Sequence, residues 1–272
     1  MCRVFEMSRS GYYRWLKRKP SRRELDNQSL DSQIREIYET SKGRYGSPKI
    51  TRELRDRGRK VGKNRVAKRM RLAGIRSKIR RKYRVTTDSR HRYPVSPNLL
   101  SRNFTTEAPD KVWVSDITYL STGSGWLYLT VIIDLFSRLV VGWALSSSLS
   151  HEMVVTALKR AIRKRNPHKG LIFHSDRGIQ YACEDFRNEL ADHGFVQSMS
   201  RKGDCWDNAV AESFFAIIKT ELVYHERYRG HQDTLHSLFE YIEAFYNRER
   251  KHSAIGYLAP AEYENRKLKL CA

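Results

Sequence analysis

The chain has 272 residues, a formal net charge of +22 and a pI near 10.0, a length that suits two domains with separate cores. A charge so far beyond what solubility requires points to a polyanionic partner, DNA or RNA first. Cys2, Cys183, Cys205 and Cys271 are scattered with no C-x-x-C pair, so neither a disulfide framework nor a cysteine-rich zinc site is suggested, and the longest apolar run, Leu127 to Phe136, falls well short of a membrane span.

The charge is segregated. Residues 1–90 carry 29 Lys/Arg against 9 Asp/Glu, and residues 91–272 carry 23 against 21. A nucleic-acid-binding front is therefore expected to precede a nearly neutral domain with a different task. Met1 is followed by a polar, basic stretch rather than a charged-then-apolar leader, so an intracellular protein is expected.

Residues 1–25 read as a partial helix-turn-helix segment, with Ser8 or Ser10 as N-cap before Tyr12, Tyr13, Trp15 and Leu16; the aromatic stripe also fits plain packing. Residues 26–75 read as a helix-turn-helix-like DNA-binding domain of three short helices. Leu30, Ile34 and Ile37 space the first, from Asp26 to Ser41. The second runs from Ser47-Pro48 to Gly58. The third, from Lys63 or Asn64 to Gly74, turns Val66, Met70 and Leu72 inward. Lys63, Arg65, Lys68 and Arg69 on its other face are the candidate DNA contacts. Residues 76–108 form a basic linker whose Arg80, Arg81 and Lys82 are expected to lie along phosphates.

From Lys111 the pattern changes to strands. Val112 to Leu120, Trp126 to Asp134 and Leu139 to Ala144 are rich in β-branched and aromatic residues between short polar turns, which predicts an antiparallel meander. A helix from His151 to Lys164, a strand Leu171 to His174, a helix Ile179 to His193, a strand Phe195 to Ser198 and a helix from Trp206 to Glu221 complete a catalytic core over residues 109–222. The fold class expected is α/β, a mixed five-stranded sheet flanked by helices and preceded by a small all-helical region. Residues 223–272 are read as a helical extension of that core, with Leu235 to Tyr246 serving either internal packing or assembly. His225, His231 and His236 are not read as a metal site.

Three carboxylates stand out. Asp116 lies mid-strand among apolar neighbours, where an ionised group must be paired, protonated or bound to a cation unless the strand is at an edge. Asp176 follows the short strand at its C-terminal end, the usual position of sites in open α/β sheets. Glu212 lies on the late helix, where the 3.6-residue period predicts one face of Asn208, Glu212, Phe215 and Lys219, and a core face of Val210, Phe214, Ile217 and Ile218. Each alone is compatible with a solvated side chain. Together they supply the oxygen donors of a two-metal phosphoryl-transfer site, with Asp116 as the bridging ligand.

Thirty-five residues separate Asp176 from Glu212, and Lys219 follows seven later. This spacing resembles the D,D(35)E pattern of retroviral integrases and many transposases. The segments Trp113-Val114-Ser115-Asp116-Ile117-Thr118-Tyr119, His174-Ser175-Asp176-Arg177-Gly178-Ile179-Gln180-Tyr181 and Asp207-Asn208-Ala209-Val210-Ala211-Glu212-Ser213-Phe214-Phe215 resemble the OrfB transposases of the IS-three insertion sequences, as does the tail from Tyr246-Asn247-Arg248. The resemblance implies a ribonuclease-H-like core that cuts DNA and joins strands by direct attack of water or a 3′-OH, in DNA integration, recombination and transposition. It implies Asp116, Asp176 and Glu212 as catalytic metal ligands for two Mg²⁺ ions, with Mn²⁺ able to substitute, and Lys219 and Asn208 as DNA contacts. His174 and Gln180 would support these ligands or touch DNA. It further implies element ends and target DNA as partners, an assembly at least dimeric, an upstream-frame OrfA protein or fusion with it, and action in the bacterial cytoplasm on the nucleoid. A nuclease of the same fold and a DNA-binding regulator are the rival readings.

Overall fold

The computed structural model describes residue 4 and residues 7–78, 94–201 and 205–271. The chain divides into two compact units, residues 1–78 and 79–272.

In the first unit, α1 (Arg9–Leu16) starts at Ser8, whose hydroxyl accepts from the Gly11 amide, and buries none of its residues. A Ser21/Glu24 capping box starts α2 (Arg22–Thr40), where the two side chains satisfy each other's backbone amides. Pro48 lies in the first turn of α3 (Ser47–Asp56), and α4 (Lys63–Leu72) follows Gly62. The core is Leu30, Ile34, Ile37, Ile50, Leu54, Val66 and Met70. These are inward positions as expected, except Leu72, which is exposed because two residues past the buried Met70 it falls on the opposite side of α4.

In the second unit the sheet runs in the order β3-β2-β1-β4-β5. The meander consists of β1 (Val112–Thr122), β2 (Gly125–Asp134) and β3 (Val140–Ser146), paired antiparallel; β4 (Ile172–Ser175) and β5 (Val196–Met199) add in parallel. Parallel pairing requires crossover helices. These are α5 (His151–Arg165) before β4, then α6 (Ile179–Ala182) and α7 (Glu184–Asp192) before β5.

The helix expected from Ile179 to His193 is thus two pieces. Cys183 adopts an extended backbone and serves as N-cap of α7, whose first turn carries Glu184 and Asp185. Elsewhere the elements begin or end within about three residues of the positions that periodicity predicts.

Each face of the sheet has its own core. Trp113, Ile132, Val141, Phe173, Tyr181 and Phe186 pack with α5 to α7. Gly142 makes this possible: a Cβ there would come within 2.5 Å of the Ala157 carbonyl on α5. On the opposite face, Val114, Leu129, Val131 and Ile133 meet α8 (Ala209–Glu221) and the C-terminal residues Leu238, Tyr241, Ile242 and Tyr246.

The C-terminal segment begins with α9 (His231–Phe239), widens into a π-helical stretch Glu240–Tyr246, and closes with α10 (Pro260–Cys271). Polar contacts help to fasten it. The Asn247 amide pairs with both backbone groups of Val140 at 2.9 and 3.0 Å, standing in for a neighbouring strand at the β3 edge. Arg250 forms a two-pronged ion pair with Glu221 at the end of α8, and Tyr241 donates to the same carboxylate. Both charges are buried, so each depends on the other. This segment is what holds the outer flank of α8. Among the described residues no helix is long and apolar enough to cross a membrane.

Candidate active site

Strand register brings the first two carboxylates together. On β1 and β4, Val112, Trp113 and Val114 pair with Ile172, Phe173 and His174. Asp116 and Asp176 each lie two residues further on. Asp116 is still within β1 and Asp176 is the first residue past β4, so both lie at the C-terminal end of the parallel pair, close enough for their charges to interact. The turn after Asp176 is closed by its own Oδ1, which accepts from the Gly178 amide at 2.9 Å. A Cβ on Gly178 would come to 3.0 Å from that oxygen, so glycine lets the chain fold back here. Asp116 Oδ1 accepts from the Ile117 amide at 2.8 Å.

The electrostatics follow from this geometry. Burial, then repulsion from Asp176, raise the Asp116 carboxyl well above its ordinary range; Glu212 adds to the rise, while the Ile117 amide and Lys219 oppose it. Burial alone raises Glu212. Lys219 is buried, which lowers its ammonium pKa against the pull of Asp116.

Glu212 is half-buried in the first turn of α8, within electrostatic reach of Asp116. Among the described residues no three His, Cys, Asp or Glu side chains are drawn close enough to enclose an ion as they stand. Asp116 interacts electrostatically with both Asp176 and Glu212, more strongly with Asp176.

The donor chemistry nevertheless suits a hard divalent cation. Asp116 and Asp176 repel one another, and two buried oxygens, Thr118 Oγ1 two residues along β1 from Asp116 and Asn208 Oδ1 on the side chain held to the Ser115 carbonyl, have no hydrogen-bond partner. The Asn208 amide is oriented by its other end, where Nδ2 donates to the Ser115 carbonyl at 3.1 Å. Such orphaned acceptors beside acidic groups are what a bound cation with its water shell would satisfy.

Of the core face expected on the late helix, Phe214 and Ile218 are buried and Val210 packs half-buried against them, while Ile217 is half-buried; Phe215 belongs to the core rather than to the chemical face. The reason is that α8 is covered on two sides, by the sheet and by the C-terminal segment.

His174 is wholly buried and neutral. Its Nε2–H donates to the Asp207 carbonyl at 3.0 Å, and its Nδ1 accepts from Ser198 Oγ at 2.9 Å. Burial lowers its pKa to about 4. It braces β4 and β5 against the chain entering α8, away from solvent. Gln180 is buried too, with Nε2 at 3.5 Å from the Leu149 carbonyl. Below Asp116, Tyr181 donates to Ser115 Oγ at 2.8 Å, and Ser115 donates to the Val131 carbonyl.

Asp207 was not singled out by the sequence. Its buried carboxylate accepts from Asn98, Arg102 and, through three separate N–H groups, Arg201. Nothing short of three dimensions links residues this far apart, although the adjoining Asp207-Asn208 pair at the head of α8 was a signal.

The basic residues of α4 divide. Arg65 bonds to Asp26 and Asn27, and Arg69 grips Asp31 with two nitrogens, so both are engaged with α2. Lys63 and Lys68 are exposed. Arg80, Arg81 and Lys82 lie outside the described residues.

Comparison with known proteins agrees with this architecture. Integrase core domain models match residues 106–205 and 193–260, and an HTH-like domain model matches residues 24–83. The chain is 41% identical over 270 residues to the transposase InsF for insertion sequence IS3A of Escherichia coli (strain K12), covering 98% of this chain and 94% of that one. It is 40% identical over 272 residues to the insertion element IS600 uncharacterized 31 kDa protein of Shigella sonnei, over the full length of both. A simian T-cell lymphotropic virus intasome, solved in complex with PP2A regulatory subunit B56 gamma, contains a chain of similar fold. The TM-score is 0.51 at 14% identity, covering 85% of this chain and 74% of that one. The chain belongs to the IS3 family of insertion-sequence transposases, DDE polynucleotidyl transferases with a ribonuclease-H-like integrase core behind a helix-turn-helix-like region.

Proposed function

We propose that Asp116, Asp176 and Glu212 are the catalytic carboxylates of this transposase and that together they hold two Mg²⁺ ions, for which Mn²⁺ can substitute. The observation that carries this reading is the parallel pairing of β1 with β4, which sets Asp116 near the turn that holds Asp176, so that burial and then the Asp176 charge raise the Asp116 carboxyl. When bound, the ions would supply Lewis acidity to the attacking oxygen and neutralise the charge that develops on the leaving one.

The protein's own groups do the rest. Asp116, Asp176 and Glu212 would hold the ions through their carboxylate oxygens. Glu212 completes the set from the first turn of α8. Lys219, buried within reach of Asp116, supplies positive charge beside an incoming phosphate. Asn208, fixed on β1, keeps the start of α8 at the aspartates. No covalent protein intermediate is needed: water attacks first, then the freed 3′-OH attacks a second strand.

DNA is the partner, element ends as well as target. Exposed Lys63 and Lys68 and the basic Arg80, Arg81 and Lys82 are its phosphate contacts, which would supply affinity without base reading. Joining two ends requires at least a dimer, and an upstream-frame protein or fusion would complete end recognition. This work takes place in the cytoplasm, on the nucleoid.

The test supplies a labelled element end and Mg²⁺ and looks for cleaved and joined product. Wild-type protein is expected to yield both. Asp116→Asn, Asp176→Asn and Glu212→Gln should lower both by more than about a hundredfold, while retaining DNA binding in gel shifts. Cleavage at the wild-type level by any of the three variants overturns the assignment, and hydrolysis without joining by wild-type protein favours a nuclease.

A further inference from the structure

Asp207 is tied to more of the molecule than its place in a single 3-10 turn, Cys205–Asn208, would lead one to expect. Its carboxylate has no exposure, yet it receives five N–H groups: Asn98 Nδ2 at 2.8 Å, Arg102 Nε at 3.4 Å, and from Arg201 the backbone amide at 2.9 Å, Nε at 3.0 Å and a terminal nitrogen at 2.9 Å. Its carbonyl accepts from His174 on β4. The next residue, Asn208, is held to β1 through the Ser115 carbonyl. The segment around Asn98, the end of β5, β4 and β1 therefore converge on two consecutive residues.

Those residues lie directly before α8, and Glu212 follows one turn later. An α-helix is stiff over a single turn, so the position of residues 207–208 sets where the Glu212 side chain can reach. The apolar side of α8 fixes its depth through Ala211, Phe214 and Ile218, but a greasy contact surface tolerates sliding and rotation that directed hydrogen bonds do not. The arginines make the clasp more than a fastening. Arg201 and Arg102 side chains are 54% and 50% exposed while their partner is fully buried, so two half-exposed guanidiniums surround one buried anion.

The geometry points to Asp207 as a positioning residue for Glu212: clasped by Arg201, it fixes the start of α8 so that Glu212 can close on the metal pair. This rests on the reading of Glu212 as a metal ligand. Asp207 touches neither the metal nor DNA, and its effect passes through the backbone of α8.

The test is Mn²⁺ binding by the full chain on an oligonucleotide element end, followed by the paramagnetic resonance of the free ion. Wild type is compared with Asp207→Asn, Glu212→Gln and the double variant; Arg201→Gln, altered at a half-exposed side chain, opens the clasp from the other side should Asp207→Asn fail to fold. Loosening a group that orients a ligand typically weakens metal affinity about 10–100-fold. Asp207→Asn, or Arg201→Gln in its place, should show a loss of that size, and its cleavage should recover as Mn²⁺ is raised. The double variant should bind no more weakly than Glu212→Gln alone, since both changes remove the same ligand. Wild-type Mn²⁺ affinity in the clasp variants, or losses that add in full in the double variant, would overturn the positioning role and leave the ligand assignment standing. Wild-type affinity in Glu212→Gln would overturn the ligand assignment, and the positioning role with it.

Discussion

Asp116 on β1 and Asp176 just past the end of β4 each lie two residues beyond the paired Val114 and His174, and burial, reinforced by repulsion from Asp176, raises the Asp116 carboxyl well above its ordinary 3.8. A folded-state value above the unfolded one means that Asp116 adds stability at acid pH, and that this is lost as pH rises through the folded-state value. Without divalent metal, wild-type protein should therefore lose stability on going from acid to neutral pH more steeply than Asp116→Asn. At pH 7.5 or so the variant should melt higher in chelator, and added Mg²⁺ should raise the Tm of wild type alone. Thermal melts in chelator and in Mg²⁺ measure both effects. A higher Tm for wild type in chelator would contradict the repulsion.

His174 predicts the opposite pH dependence. Its folded pKa of about 4 lies below the ordinary 6.5, so its contribution is full above pH 6.5 and is lost as pH falls toward 4. A shift of this size corresponds to roughly 3 kcal/mol. Urea denaturation between pH 7 and pH 4 should show a loss of that order in wild type and a flatter profile in His174→Gln, since the variant carries no group that must be protonated there.

The division within α4 separates stability from affinity. Arg69→Ala removes the paired contact to Asp31 and should destabilise the first unit with little change in the salt dependence of DNA binding. Lys63→Ala and Lys68→Ala should leave the Tm unchanged and each reduce the slope of log K against log salt by about 1. Binding isotherms over a salt series decide between them. An unchanged slope in both lysine variants would remove those residues from the DNA contacts.

Much of this molecule was legible in one dimension, and what was missed has a common cause. The meander could be read because β-branched and aromatic runs alternate with short polar turns, and the three helices of the first unit because Leu30, Ile34, Ile50, Leu54 and Val66 keep a helical period. The candidate carboxylates were legible through spacing and resemblance together. Residues whose roles depend on distant partners were not. Arg65 and Arg69 looked like a solvent-facing basic stripe because Asp26 and Asp31 lie some 38 residues away in sequence. Phe215 looked peripheral because nothing local says that a later segment covers the second flank of α8. Cys183 breaks a helix without being glycine or proline, so no local signal marked the break.

Gly142 offers a test of the packing behind the site. An added methyl would come within 2.5 Å of the Ala157 carbonyl and 2.7 Å of Ala161 Cβ, and neither a helix backbone nor a short side chain can yield easily. Gly142→Ala should cost about 1–3 kcal/mol by forcing α5 away from β3, read as a lower urea midpoint. A neutral result would mean that this interface is looser than the close approach implies.

The most direct measurement is anomalous scattering from Mn²⁺ in crystals of the protein bound to an element end. Two peaks about 3.5–4 Å apart, held by Asp116, Asp176 and Glu212 with Asp116 touching both, are the predicted result. Manganese bound elsewhere, or with any of these three carboxylates turned away from it, would contradict the account.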